Sequence, residues 1–89
     1  MVNNTLKSVY NIAGVYSRGL KNYEKAEELY QRALEGYEAQ LGRDHEDSKS
    51  CAKNLAKCFF LAGDRLKLKK IISKYPHILI DGPALKEYL

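Results

Sequence analysis

The feature that most constrains this chain is a phrase written twice. NIAGVY at residues 11–16 returns as NLAKCF at residues 54–59, 43 residues later. Each copy carries Asn, a large aliphatic residue, a small Ala where helices can approach closely, and an aromatic three residues beyond the Ala. Self-similarity at a period of roughly 20–50 residues marks a stacked array of like units. At 89 residues the chain is one domain at most. A domain of this size buries only about 60–65% of its unfolded surface, so its stability should be modest.

Apolar spacing says what each unit is. Two prolines and six glycines in the whole chain favour long helices over many short strands. Leu6, Val9, Ile12, Ala13 and Tyr16 form one helical stripe, predicting a helix over residues 5–18. RGLKN interrupts it. Asn22 is a suitable N-cap for a second helix, whose early Glu24, Glu27 and Glu28 complement the positive helix end. Its inward positions are Tyr23, Ala26, Tyr30, Ala33, Tyr37 and Leu41, and Gly42 should close it in a left-handed conformation. RDHEDS supplies a loop in which His45 helps to start a third helix, over 46–62, with Cys51, Leu55, Cys58, Phe59 and Ala62 inward. Gly63 ends it. Asp64 should cap a fourth helix with Leu68, Ile71, Ile72 and Tyr75 on one face, stopped by Pro76. HILIDG reads as extended, and Pro83 suits the first position of a short last helix over 83–88. The expected fold is all-α: an α-solenoid of two antiparallel helix pairs, about 5–41 and 46–75, with a short C-terminal capping helix within 76–89, the whole forming one domain.

Composition removes several function classes. The longest apolar run, residues 58–62, is far too short to span a membrane. MVNNTLKSVY lacks the basic start and apolar block of a secretory signal. Cys51 and Cys58 lie two helical turns apart, about 10.5 Å along the axis. A disulfide requires Cα atoms within about 7 Å, so the two read as free core thiols, which suit a reducing, cytoplasmic setting. The charge is uneven. Residues 1–42 are balanced, with five basic and five acidic side chains, while residues 43–89 hold ten basic and six acidic, giving a net charge of +4.

The stretches NIAGVY, NYEKAEELYQRAL and LGRDHED followed by NLA resemble the tetratricopeptide repeat, and more narrowly the long repeat of kinesin light chains and nephrocystin-like proteins. The likeness covers about residues 6–75. It has departures: the turn YSRGLKNY is one residue longer than is usual, which accounts for the spacing of 43; Glu46 stands where proline is usual; Leu68 stands where alanine is preferred. Two pairs are fewer than the roughly three that such arrays need for independent stability. What the resemblance implies is a non-catalytic protein-interaction module or scaffold fragment. Its first helices would line a concave groove that takes a peptide or partner helix.

The candidate site residues come from that placement. Asn11 and Asn54 precede the inward aliphatic residue of each first helix. An amide side chain offers both donor and acceptor, so it can read a peptide backbone regardless of sequence. Its bland alternative is a bond to neighbouring helices. Lys7, Arg18, Lys53 and Lys57 flank the same face and would favour an acidic ligand, the alternative being a solvated helix surface. A three-site grip on a terminal carboxylate is not expected, because Gly14 stands where it needs a polar side chain. His45, Cys51, Cys58 and His77 are spaced poorly for zinc. Neither the serines nor the cysteines have a histidine–carboxylate setting, and there is no phosphate-binding loop. No cofactor, metal site or catalytic residue is therefore expected. RLKLKKIISK, residues 65–74, supports an alternative, a basic helix that binds nucleic acid or a membrane surface. Against it, Leu68, Ile71 and Ile72 are needed inside, and no aromatics interleave the lysines to stack on bases. Finally, the first helix should present an apolar end, at Leu6, Val9 and the NIAGVY segment, through which the chain would self-associate.

Overall fold

The computed structural model describes residues 2–76, with side-chain surroundings from residue 5. Four α-helices succeed one another: α1, Val2–Gly14; α2, Tyr23–Leu41; α3, Glu46–Ala62; and α4, Arg65–Lys74. A single π-turn, Val15–Gly19, extends α1. The helices pack as two antiparallel pairs, α1 with α2 and α3 with α4, and α2 lies against α3 to join the pairs. Among the described residues there are no strands. The expected last helix over 83–88 and the extended HILIDG segment fall on residues 77–89, outside the described residues.

Helix starts obey local chemistry. The Asn22 side chain accepts a hydrogen bond from the Lys25 amide at 3.2 Å, and Asp64 accepts from the Lys67 amide at 3.1 Å. Nδ1 of His45 accepts from the Asp47 amide at 3.0 Å, which fixes it as the unprotonated ring nitrogen and makes the imidazole itself a cap. Each bond satisfies an amide that the first helical turn would otherwise leave without a partner.

Helix ends are less uniform. Gly63 takes the left-handed conformation, φ +79° and ψ +16°. The Gly63 amide donates to Phe60 and the Asp64 amide to Phe59, closing α3 tightly. Gly42 also has a positive φ of +91°, but its ψ of 156° is extended, not left-handed helical as expected. That region is open essentially to glycine alone. From it the loop is held by Ser48, wholly buried, whose hydroxyl donates to the Gly42 carbonyl at 2.8 Å.

The core lies between the pairs. Ala26 and Ala33 of α2 are fully buried, and so are Ala13, Ala52 and Ala56 on the first helices. Leu6 packs onto Gly36 so closely that a Cβ there would overlap its methyl groups. The predicted inward residues of α4 are all buried. Two inward assignments and one assignment to an open end need correction. Ile12 is 49% exposed although Leu55, at the same place in the repeat, is 2% exposed. Ala62, the last residue of α3, is exposed. Leu6 does not belong to an uncovered end, because α2 covers it.

Candidate functional site

The outward stripes of α1 and α3 are built from matched positions. Lys7, Asn11 and Gly14 succeed one another along α1 at spacings of four and three, so they share a face, and Arg18 continues it into the π-turn. Adding 43 gives Ser50, Asn54, Lys57 and Leu61 on α3. Lys7, Asn11, Arg18 and Lys57 are exposed; Lys53 and Asn54 are half-buried.

Asn54 ties the two stripes together. Its Nδ2 donates to the Tyr10 hydroxyl at 2.6 Å and to the Ser50 carbonyl at 3.0 Å. The amide nitrogen is therefore engaged within the fold. Asn11, its counterpart, lies on exposed surface.

Gly14 has an occupant above it. A side chain there would begin 2.5 Å from a guanidinium nitrogen of Arg18 and 3.4 Å from the Tyr30 hydroxyl. Arg18 thus folds back over the bare backbone and delivers a cation where the glycine itself offers nothing. Tyr10 and Tyr30 meet edge to face, with ring centroids 5.5 Å apart. Burial is the main cause that raises both hydroxyl pKa values, Tyr30 to about 12, and the Arg18 charge works against it. Both phenols stay neutral near neutral pH. Tyr10, Tyr30, Arg18 and Asn54 form one polar cluster at the seam of the two pairs.

Sequence reasoning finds Arg18 and Asn54 but misses the tyrosines. The spacing of Tyr30 assigns it to the core, which hides its hydroxyl. Tyr10 lies beside the stripe rather than on it. The one available signal is that a buried tyrosine hydroxyl needs a partner.

The thiols do no chemistry in this arrangement. Cys51 donates to the Tyr30 carbonyl at 3.3 Å and Cys58 to Ser17 Oγ at 3.5 Å. Burial pushes Cys51 up to about 12 and raises Cys58, so neither supplies a thiolate near neutral pH. Among the described residues, no group of three or more His, Cys, Asp or Glu side chains could hold a metal ion. His77 lies outside the described residues.

A cleft of about 270 Å³ opens between α2, α3 and α4. Leu34, Leu55, Phe59 and Ile71 line it, with Glu38 and Lys74 among its charged groups. Glu38 accepts from Lys74 at 2.9 Å and from the Tyr75 hydroxyl. Lys67 reaches Glu27 at 3.7 Å. These bonds fasten α4 to α2 and engage two lysines of the basic RLKLKKIISK segment. No helix among the described residues is long and apolar enough to cross a membrane.

A family model described as tetratricopeptide repeat matches residues 4–67, from the first turn of α1 to the first turn of α4. No curated protein and no solved structure matches the chain significantly.

Proposed function

As the chain belongs to the tetratricopeptide repeat family, whose repeats generally mediate protein–protein contacts without catalysis, we propose that it is an interaction module binding an acidic peptide or partner helix across the exposed stripes of α1 and α3. One observation carries the reading. From residue 2 to 19 and from 48 to 62 there is no Asp or Glu, while Lys7, Arg18, Lys53 and Lys57 all stand there. An unopposed cationic surface steers an acidic ligand toward it and rejects basic ones. Asn11 and the side-chain oxygen of Asn54 are the groups that would read the ligand backbone. The stretch LGRDHED, with NLA beyond it, favours the kinesin light chain-like kind of long repeat. The two protonated core thiols favour a cytoplasmic setting.

The nucleic-acid or membrane reading loses support from the ion pairs that Lys67 and Lys74 make with Glu27 and Glu38. Calorimetry with an acidic and a neutral peptide, at two salt concentrations, tests the groove. Asn11→Ala is the clean variant, because Asn54→Ala also cuts the tether to Tyr10. It should weaken both peptides by about 1–3 kcal/mol. Lys53→Ala combined with Lys57→Ala should weaken the acidic peptide selectively and flatten its salt dependence. Equal affinity for both peptides in the parent chain, unaffected by any of these changes, would sink the groove.

A further inference from the structure

The cleft between α2, α3 and α4 has charged walls over an apolar floor. Core residues form the floor: Leu34, Leu55, Phe59 and Ile71. On one wall Lys67, Lys70 and Lys74 follow one another along α4 at spacings of three and four, so they share a face. On the other, α2 presents Gln31, Glu35 and Glu38. Two rungs join the walls. Lys67 reaches Glu27 at 3.7 Å, and its ammonium also stands 5.9 Å from the centre of the Phe59 ring. Lys74 reaches Glu38 at 2.9 Å, and the Tyr75 hydroxyl donates to the same carboxylate. Between the rungs the ladder is open. Among the described residues the side chains of Lys70 and Glu35 enter no hydrogen bond or ion pair, and both are exposed. The middle of the cleft therefore combines an apolar floor, a spare cation on one wall and a spare carboxylate on the other.

We propose that this cleft binds a free apolar α-amino acid of leucine size. Its carboxylate meets Lys70, its ammonium meets Glu35, and its side chain lies on the floor. Charge complementarity selects that occupant. A simple anion would be drawn to Lys70 but set against Glu35, and a simple cation the reverse. An uncharged apolar molecule would shield both charges from water and give neither a partner. A zwitterion answers both. Size agrees: about 270 Å³ lies just below the roughly 300–1,000 Å³ of clefts that hold drug-sized ligands. A polypeptide running along the cleft would have to break a rung, and its interior residues carry no such pair of backbone charges. The surface is distinct from the α1–α3 groove, so the inference does not rest on the peptide reading.

The test titrates the isotope-labelled full chain with L-leucine and follows backbone amide shifts by NMR. Saturable shifts at Leu34, Phe59 and Ile71 are expected in the millimolar range, because both charges stay in contact with water. Glycine, which lacks the apolar side chain, should bind more weakly. Leucinamide lacks the carboxylate and N-acetyl-L-leucine lacks the ammonium, and each should bind about threefold more weakly than L-leucine, or worse. Two variants assign those losses. Lys70→Gln should weaken L-leucine by a similar factor without weakening leucinamide. Glu35→Gln should weaken L-leucine without weakening N-acetyl-L-leucine. Both positions are exposed, and circular dichroism checks that the variants stay helical. Lys53→Ala with Lys57→Ala, in the groove, should leave L-leucine binding unchanged. The proposal is overturned if no shift saturates, if glycine binds as well as L-leucine, or if Lys70→Gln and Glu35→Gln bind L-leucine like the parent. Shifts centred on α1 instead of the cleft also overturn it.

Discussion

Helices α1 and α3 carry the same phrase and meet different fates. Leu55 is sealed between helices and Ile12 stands half in water. Cys58 is buried where Val15 is exposed. Ala13 and Ala56, by contrast, are both fully buried. A repeated residue thus keeps its surroundings where they come from inside the unit. It loses them where they come from the unit before. Burial here belongs to the interface, as expected when stability is a sum of unit and neighbour contributions.

The largest effect should separate Leu55 from Ile12. Leu55→Ala removes a fully enclosed side chain and should cost about 2–5 kcal/mol. Ile12→Ala should stay within about 1 kcal/mol, since half of that side chain is already hydrated. Urea denaturation of both variants measures the difference, and equal losses would break the comparison.

Alkaline pH should sharpen it. The Cys51 thiol rises from its ordinary value of 9.0 to about 12 in the folded chain, through burial first and the Glu38 charge second. Above pH 9 the unfolded chain loses this proton while the folded chain keeps it. The unfolded state then binds fewer protons, so stability falls as pH climbs from 9 toward 12, and it is fully present below 9. Ser8, the counterpart in α1, does not titrate in this range. Melting temperature should therefore drop above pH 9 in the parent and drop less in Cys51→Ser. A flat profile between pH 8 and 11 would remove this contribution.

The smallest effect concerns the two turns. Gly63 supplies a positive φ at no steric cost, whereas Lys21 takes φ +53° with a side chain attached. Lys21→Gly should raise stability by about 0.5–1 kcal/mol, the relief of left-handed strain exceeding the added freedom of the unfolded chain. A loss of stability in thermal melts would show that the Lys21 side chain makes a compensating contact.

Much of the fold is legible in the sequence because its cues are local. The caps at Asn22, His45 and Asp64 work through amides two or three residues away, so sequence alone places them. The α4 face is legible because proline bounds it and its apolar spacing is unbroken. Other features need the third dimension. Leu34 is buried but lies off the stripe drawn through Tyr30 and Tyr37, because α2 is covered on two sides, by α1 and by α3. Sequence puts Arg18 in the site; that its guanidinium lies over Gly14 depends on a backbone with no Cβ and on the hydroxyl of Tyr30. Asn54 is legible as a polar group on the right face, whereas its bond to Tyr10 spans 44 residues and leaves no trace in spacing.

The π-turn carries a consequence for how such chains lengthen. One added residue in a regular helix rotates everything after it by about 100°, which would throw the next helix out of phase. Here the Leu20 amide reaches back five residues to Val15 at 3.0 Å, and the Asn22 amide reaches six, to Tyr16, at 2.7 Å. The surplus is taken up as a local widening with its hydrogen bonds intact, Ser17 turned inward to Cys58, and α2 starting on its Asn22 cap. The turn acts as an expansion joint. Length can change there by one residue without re-phasing α2, so the caps measure the unit more faithfully than the distance between repeated words.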